Sequence, residues 1–209
     1  MLDYNNPQFV GHVLAHPFEG FEDLRWKKQG SIPIAIGIVV LLFVSMVLQD
    51  RAYGFQFYVS YDKIFNIVPF LVQSIILFLV WVVANWAMCT LVDGEGSMKR
   101  IFIYSAYAMI PYVACTLLGT FLSSFFVQDE GIFLTTIEVI GYAWSGLLII
   151  TSQKAVHQFT IRKTILCIIL TVLAMIAILF LLVLLLTLMQ QVVIFVMSIY
   201  TEISYRFRV

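Results

Sequence analysis

Long apolar runs constrain this chain more than any other feature of its sequence. Several of them exceed the roughly 18 residues that mark a helix able to cross a bilayer. The composition is 62% hydrophobic, whereas a soluble domain averages only about 45–50% apolar residues. Because lipid offers no hydrogen-bond partner to the backbone, runs of this kind cross a membrane as helices. The sequence therefore predicts an all-α, polytopic membrane protein in contact with the lipid bilayer.

Charged and polar interruptions divide the apolar sequence into five predicted transmembrane helices. The last apolar run is longer than one crossing of a ~30 Å hydrocarbon core needs, so its final part is predicted to be an outer extension. Together these segments form one predicted membrane domain, residues 31–209. The predicted spans are about 31–48, 64–92, 101–127, 132–152 and 164–189, with the extension at 190–209.

Residues 1–30 precede the first span and contain an amphipathic segment that Pro17 interrupts. Apolar residues recur there at helical spacing with acidic residues opposite, a pattern typical of a helix lying in the membrane interface. His12 and His16 are four residues apart, and Glu19 would be the third ligand of a metal site. Two histidines alone are a weak metal signal. The interfacial helix is the favoured interpretation, and neither a metal nor a cofactor is predicted.

The distribution of lysine and arginine predicts the orientation of the spans. With the N-terminus in the cytosol, eight of these residues lie on the inner side and four on the outer side. The inner set is Arg25, Lys27, Lys28, Lys99, Arg100, Lys154, Arg162 and Lys163, and the outer set is Arg51, Lys63, Arg206 and Arg208. This bias predicts a cytosolic N-terminus and an external C-terminus. Twelve basic and twelve acidic residues leave no net charge, so there is no nucleic-acid footprint.

Glu138 is the only carboxylate well inside a predicted span. A charged residue at that depth is a functional candidate, because inserting one costs about 2.5–3.5 kcal/mol. Four residues are predicted at a similar depth and as its hydrogen-bond partners: Ser45, Gln73, Ser74 and Thr116. Two interpretations stay open: these groups fasten helices together, or they form the polar site of a small transporter or channel.

A second polar level is predicted nearer the inner surface, where Asn85, Tyr107 and Ser145 are expected to meet. Three tryptophans are predicted near them: Trp81, Trp86 and Trp144. The basic residues after span four form a predicted loop suited to anionic headgroups: Lys154, His157, Arg162 and Lys163.

Sequence signals for catalysis are absent. The chain has no His-Glu-x-x-His, no Gly-x-Ser-x-Gly and no phosphate-binding loop. Its three cysteines, Cys89, Cys115 and Cys167, lie inside predicted spans at scattered spacing, which predicts packing residues and not a disulfide or metal set. An enzyme is not predicted.

A short charged loop joins spans two and three. Asp93-Gly94-Glu95-Gly96 supplies two turn residues, and Lys99 and Arg100 follow. The loop carries both signs of charge close to the membrane. We therefore predict that Glu95, Lys99 and Arg100 contact a cytosolic partner, the alternative being an ordinary solvated turn.

The next span contains Tyr104-Ser105-Ala106-Tyr107-Ala108-Met109-Ile110-Pro111. An apolar helix, a glycine-containing turn and this Tyr-x-x-Tyr-x-x-x-Pro pattern resemble the core of the Yip1 family. The five-span layout also fits that family, so the resemblance covers most of the chain. The Asp-Leu-Tyr-Gly-Pro motif and long cytosolic domain of eukaryotic members are missing, which implies the short prokaryotic branch and a prokaryotic cell membrane.

The resemblance implies a membrane adaptor or accessory subunit. Such a protein binds other membrane proteins and helps to assemble, traffic or regulate them. In a prokaryote one such client is a transporter complex, for example an ABC transporter. The polar residues Asn85, Tyr104, Tyr107 and Glu138 are the intramembrane candidates for its sites.

The predicted orientation is testable by cysteine labelling. In a background without the three native cysteines, Gln56→Cys should react in intact cells with an impermeant thiol reagent, because residue 56 is predicted outside. Ser97→Cys should react only after the membrane is opened. Labelling of position 97 but not of position 56 in intact cells would reverse the orientation.

Overall fold

The structure, a computed structural model, describes residues 11, 13, 16–26, 30–57 and 65–207. All regular secondary structure in that part of the chain is helical, which confirms the predicted fold class. The helices are α1, Pro17–Trp26; α2, Ile32–Ala52; α3, Val68–Leu91; α4, Met98–Ala108; α5, Ile110–Leu122; α6, Gly131–His157; and α7, Ile161–Phe207.

Within the described residues, five segments are long and apolar enough to cross a membrane, as predicted: α2, α3, α4 with α5, α6 and α7. They run alternately up and down, so the described loops lie at two ends of the bundle. One end carries the turn at 92–97 and the connection at 158–160, and we call it the turn end. The opposite end carries the loops at 53–57 and 123–130, where Gly54 N–H donates to the Ser123 hydroxyl over 2.8 Å.

Helix α4 is the centre of the bundle. The span formed by α4 and α5 has half of its best apolar window buried, against a third or less for the other four. Small side chains at Ser105, Ala106 and Ala108 are fully buried. Small residues allow helix backbones to approach closely in a membrane, and α4 accordingly packs against α2, α3 and α6.

Helix α1 adds a buried face to this core. Pro17 is its first residue, in agreement with the predicted interruption. Phe21 and Leu24 are buried, and the Phe21 ring stacks on Tyr104 at 5.7 Å between centroids. The amphipathic helix thus packs on the bundle and does not only cover lipid headgroups.

Helix α6 is longer than predicted at the turn end. The sequence placed Lys154 and His157 in a loop, but both lie in the last turns of the helix, which ends at Gln158 in a left-handed conformation with φ 55°. The prediction was wrong because the polar residues at 153–157 indicated a solvated loop after the span. Most of them are buried by α1, α4 and the 92–97 turn.

Helix α7 is continuous over 47 residues. At ~1.5 Å per residue it is about 70 Å long, more than twice the hydrocarbon thickness. Its first half packs against α3 and α6, whereas the side chains of residues 180–203 are all exposed. The predicted span and the outer extension are therefore one helix, of which the second half makes no contribution to the core.

Candidate functional site

The turn between α3 and α4 is closed by the hydrogen bonds of a Schellman motif. Gly94 N–H donates to the Cys89 carbonyl over 2.8 Å, and Asp93 N–H donates to the Thr90 carbonyl over 3.3 Å. Asp93 has φ 60°, the left-handed conformation that this motif requires at the first residue past the cap. The chain therefore leaves α3 in one fixed direction, which sets the position of Glu95.

The side chain of His157 packs against the backbone of the same turn. Its side chain is 1% exposed, and Gly96 N–H donates to its Nδ1 over 3.3 Å. A Cβ at Gly94 would lie 2.6 Å from that Nδ1 and 2.7 Å from the Cys89 carbonyl oxygen. The turn needs glycine at this position because its backbone lies directly on the imidazole.

A chain of hydrogen bonds continues from His157 into the bundle. Because Nδ1 accepts from Gly96, the neutral ring carries its proton on Nε2, which donates to Asn85 Oδ1 over 3.1 Å. Asn85 Nδ2 donates to the Thr171 hydroxyl over 3.2 Å. Thr171 in turn donates to the Cys167 carbonyl over 2.7 Å. This chain links α6, α3 and α7 to the 92–97 turn.

Sequence reasoning missed His157 as a site residue. The only available signal was its four-residue spacing from Gln153, which puts the two side chains on one helix face. Both are buried. Gln153 Nε2 donates to the Ser105 hydroxyl over 3.5 Å, as Trp81 Nε1 does over 3.1 Å.

The inner polar residues that were predicted to meet, Asn85, Tyr107 and Ser145, contact different partners. Asn85 bonds His157 and Thr171, whereas Tyr107 lies near the backbone of Ser31. Ser145 accepts from the Tyr112 N–H over 2.9 Å. Trp86 and Trp144 are exposed on the outside of the bundle. Tyr104 and Tyr107 are both buried in the core around α4.

The bond to Ser145 compensates a break in the third span. Helix α4 ends at Ala108 and α5 begins at Ile110, and Pro111 in the first turn of α5 has no N–H. Such a break at membrane depth is tolerated when neighbouring helices or a cavity satisfy the backbone. Here the Ser145 hydroxyl of α6 does so.

A cavity of about 620 Å³ lies beside this break, between α2, α3, α5, α6 and α7. Met109, Tyr112 and Ser145 line it. Gln73 and Ser74 also line it, and they belong to a π-helical turn, Val72–Ile76, inside α3. π-Turns and helix breaks are frequent at functional sites. Two backbone irregularities thus converge on one mid-bundle cavity, whose remaining lining is mainly apolar.

Glu138 lies elsewhere, towards the end of the bundle opposite the turn. It is half-buried, and its Oε1 accepts from Gln49 Nε2 over 2.9 Å. Burial, and secondarily the charge of Glu138, raises the pKa of the nearby Tyr53 phenol above its usual value. Of the partners predicted for Glu138, Ser45 and Ser74 instead donate to carbonyls of their own helices, at Leu42 and Phe70.

The residues predicted for partner binding lie together at the turn end. Glu95, Lys99 and Arg100 are all exposed. Arg100 donates from Nε to the Ser97 hydroxyl over 3.2 Å and from Nη2 to the Glu95 carbonyl over 3.3 Å. These bonds tie the start of α4 to the turn.

The described residues contain no group of three His, Cys, Asp or Glu side chains placed to hold a metal ion. His12, one of the suggested ligands, lies outside the described residues. Cys89 and Cys167 are buried in one apolar cluster with Phe159, and both are free thiols.

The fold and these features define a five-span α-helical membrane protein with a mid-bundle cavity and a fixed turn at one end. The sequence matches the Yip1 domain over residues 11–185, and the chain belongs to the Yip1 family. The matched region ends at residue 185, near the middle of α7, so most of the exposed second half of that helix lies outside it. Neither a curated protein nor a solved structure gives a significant match to the chain.

The His157 hydrogen bonds lead to a stability prediction. His157→Ala should lower the free energy of unfolding by about 2–4 kcal/mol, because it leaves Asn85 and the Gly96 N–H buried without this partner and opens a cavity. Thermal unfolding in detergent measures the loss. Arg162→Ala, an exposed change at the same end, is the control and should have little effect. Equal stability of the two variants would show that the buried chain does not hold the turn.

Glu138 gives a second prediction. Glu138→Gln should keep the stability within about 1 kcal/mol of the wild type, because its amide oxygen still accepts from Gln49. Glu138→Leu should destabilise the protein, since the Gln49 amide then loses this acceptor. Thermal unfolding of both variants in detergent measures the difference. A pH-dependent ion flux in proteoliposomes, present in the wild type and lost in Glu138→Gln, would instead assign transport to this residue.

Proposed function

We propose that the protein is a non-enzymatic membrane adaptor, an accessory subunit that binds other membrane proteins and helps to assemble, traffic or regulate them. A transporter complex, such as an ABC transporter in a prokaryotic cell membrane, is the proposed client class. Membership of a membrane protein family supports the general role. The docking site is assigned to the 92–100 segment, with Glu95, Lys99 and Arg100 as contacts.

The main support for this proposal is that hydrogen bonds hold the backbone of the 92–100 segment in one conformation. The Schellman bonds hold its beginning, His157 holds its middle at Gly96, and Arg100 ties Glu95 to Ser97. A surface that is ordered before binding loses little conformational entropy on docking. Exposed charges of both signs at fixed positions favour an oriented protein contact over general attraction to lipid.

The rival role, a small transporter or channel, has less support. Its candidate residue, Glu138, is not among the residues that line the mid-bundle cavity, and the lining described there contains no ionisable carboxylate or amine. Ion and proton pathways through membranes depend on such groups. The adaptor role therefore fits the arrangement of the described residues better.

Charge reversal at the turn tests the docking site. The double variant Glu95→Lys, Lys99→Glu should reduce recovery of the client at least roughly tenfold, because like charges brought together across an interface cost several kcal/mol. The measurement is affinity purification in mild detergent with quantification of the co-purifying membrane proteins. The amount of the protein in the membrane should not change, since both side chains are exposed.

Asp129→Lys with Glu130→Lys is the matched control, because these acidic residues are exposed at the opposite end. It should leave client recovery unchanged. Recovery that survives the reversal at the turn, but is lost when residues 190–209 are removed, would move the contact to the second half of α7 and contradict the proposed docking site.

A further inference from the structure

A second cavity, of about 380 Å³, lies at the turn end between α1 and α4. Its volume falls in the range of about 300–1,000 Å³ typical of small-ligand sites. Among the described residues, Ser97, Lys99 and Arg100 supply the polar and charged part of its lining. The other described lining residues are Leu24, Gly30, Ile103 and Tyr104. The cavity therefore combines two cations at its polar part with an apolar part formed by α1 and α4.

The two cations are not neutralised by the described part of the protein. No described carboxylate lies within 4.0 Å ion-pair distance of the Lys99 ammonium or the Arg100 guanidinium. Two positive charges on one cavity, neither of them paired with a described carboxylate, favour an anionic ligand by Coulomb attraction.

The geometry of Arg100 also suits a phosphate. Its Nε and Nη2 donate to Ser97 and Glu95, which uses one edge of the guanidinium and fixes its plane. Arginine has five N–H donors, so the other edge keeps donors for a bidentate bond to two oxygens of one anion. The Ser97 hydroxyl, which accepts from Arg100, can donate its own hydrogen to the same anion.

We propose that this cavity binds the phosphate-bearing headgroup of an anionic phospholipid. Arg100 and Lys99 hold the phosphate, and Leu24 and Ile103 contact the glycerol and the first carbons of the acyl chains. The apolar lining favours a lipid over a free phosphate ion. Basic pockets between membrane helices bind headgroups in this way. The site does not depend on the adaptor role, but it uses Lys99 and Arg100 of the proposed docking segment, so a bound lipid would form part of that surface.

Lipid retention by the purified protein tests the site without any client. The protein is placed in phosphatidylcholine nanodiscs with and without phosphatidylglycerol, extracted in mild detergent, and its retained lipids are measured by native mass spectrometry. The wild type should retain phosphatidylglycerol in preference to phosphatidylcholine. Arg100→Gln should weaken that preference roughly tenfold, the effect of losing one charge-assisted hydrogen bond. Lys99→Gln should weaken it less, since an ammonium acts as a point charge.

The matched controls are Arg162→Gln and Lys163→Gln, which remove charges from the same end of the bundle but not from the cavity. Both should keep the wild-type preference. Equal losses in all four variants would mean general attraction of the lipid to the basic end and would overturn the site. Full displacement of the lipid by inorganic phosphate would assign a free-anion site instead. The lipid site would be refuted if the wild type showed no preference for phosphatidylglycerol. If, in addition, Arg100 were shielded from chemical modification only when the client is bound, the two cations would be assigned to protein binding.

Discussion

The hydrogen bonds of His157 couple the turn end of the bundle to its interior. Nδ1 accepts from the Gly96 backbone, and Nε2 donates to Asn85, which continues through Thr171 to the backbone of α7. Membrane helices are not pressed together by the hydrophobic effect, because lipid is as apolar as their side chains. A buried polar chain therefore specifies which helices meet and at what height. It also fixes the one loop that the proposed function needs.

Helix α4 supplies the second constraint, which is steric. Its small residues let α2, α3 and α6 approach, and the Tyr104 ring gives α1 an aromatic surface on which Phe21 stacks. The Tyr-x-x-Tyr-x-x-x-Pro pattern thus marks the centre of the fold. Its tyrosines pack the core, and its proline breaks the helix where the mid-bundle cavity begins.

Two features that bear on function lie at different heights in the bundle. The cavity at the break has irregular backbone on two sides, and none of its described lining residues is a lysine, arginine, aspartate or glutamate. The turn end has a fixed backbone and exposed charges. The cavity offers a mainly apolar lining, whereas the turn end offers charges at fixed positions, which is what the proposed adaptor role requires.

The sequence by itself determined the fold class, the five spans and the family, because apolar run length and the Tyr104–Pro111 pattern are local properties. It also located the charged turn. The partners of the polar residues were decided only by tertiary packing: Asn85 meets His157, Glu138 meets Gln49, and Ser145 meets the Tyr112 amide. Depth counting places a residue along a helix axis, but a hydrogen bond also needs the rotation of both helices. That rotation depends on how all the helices pack together.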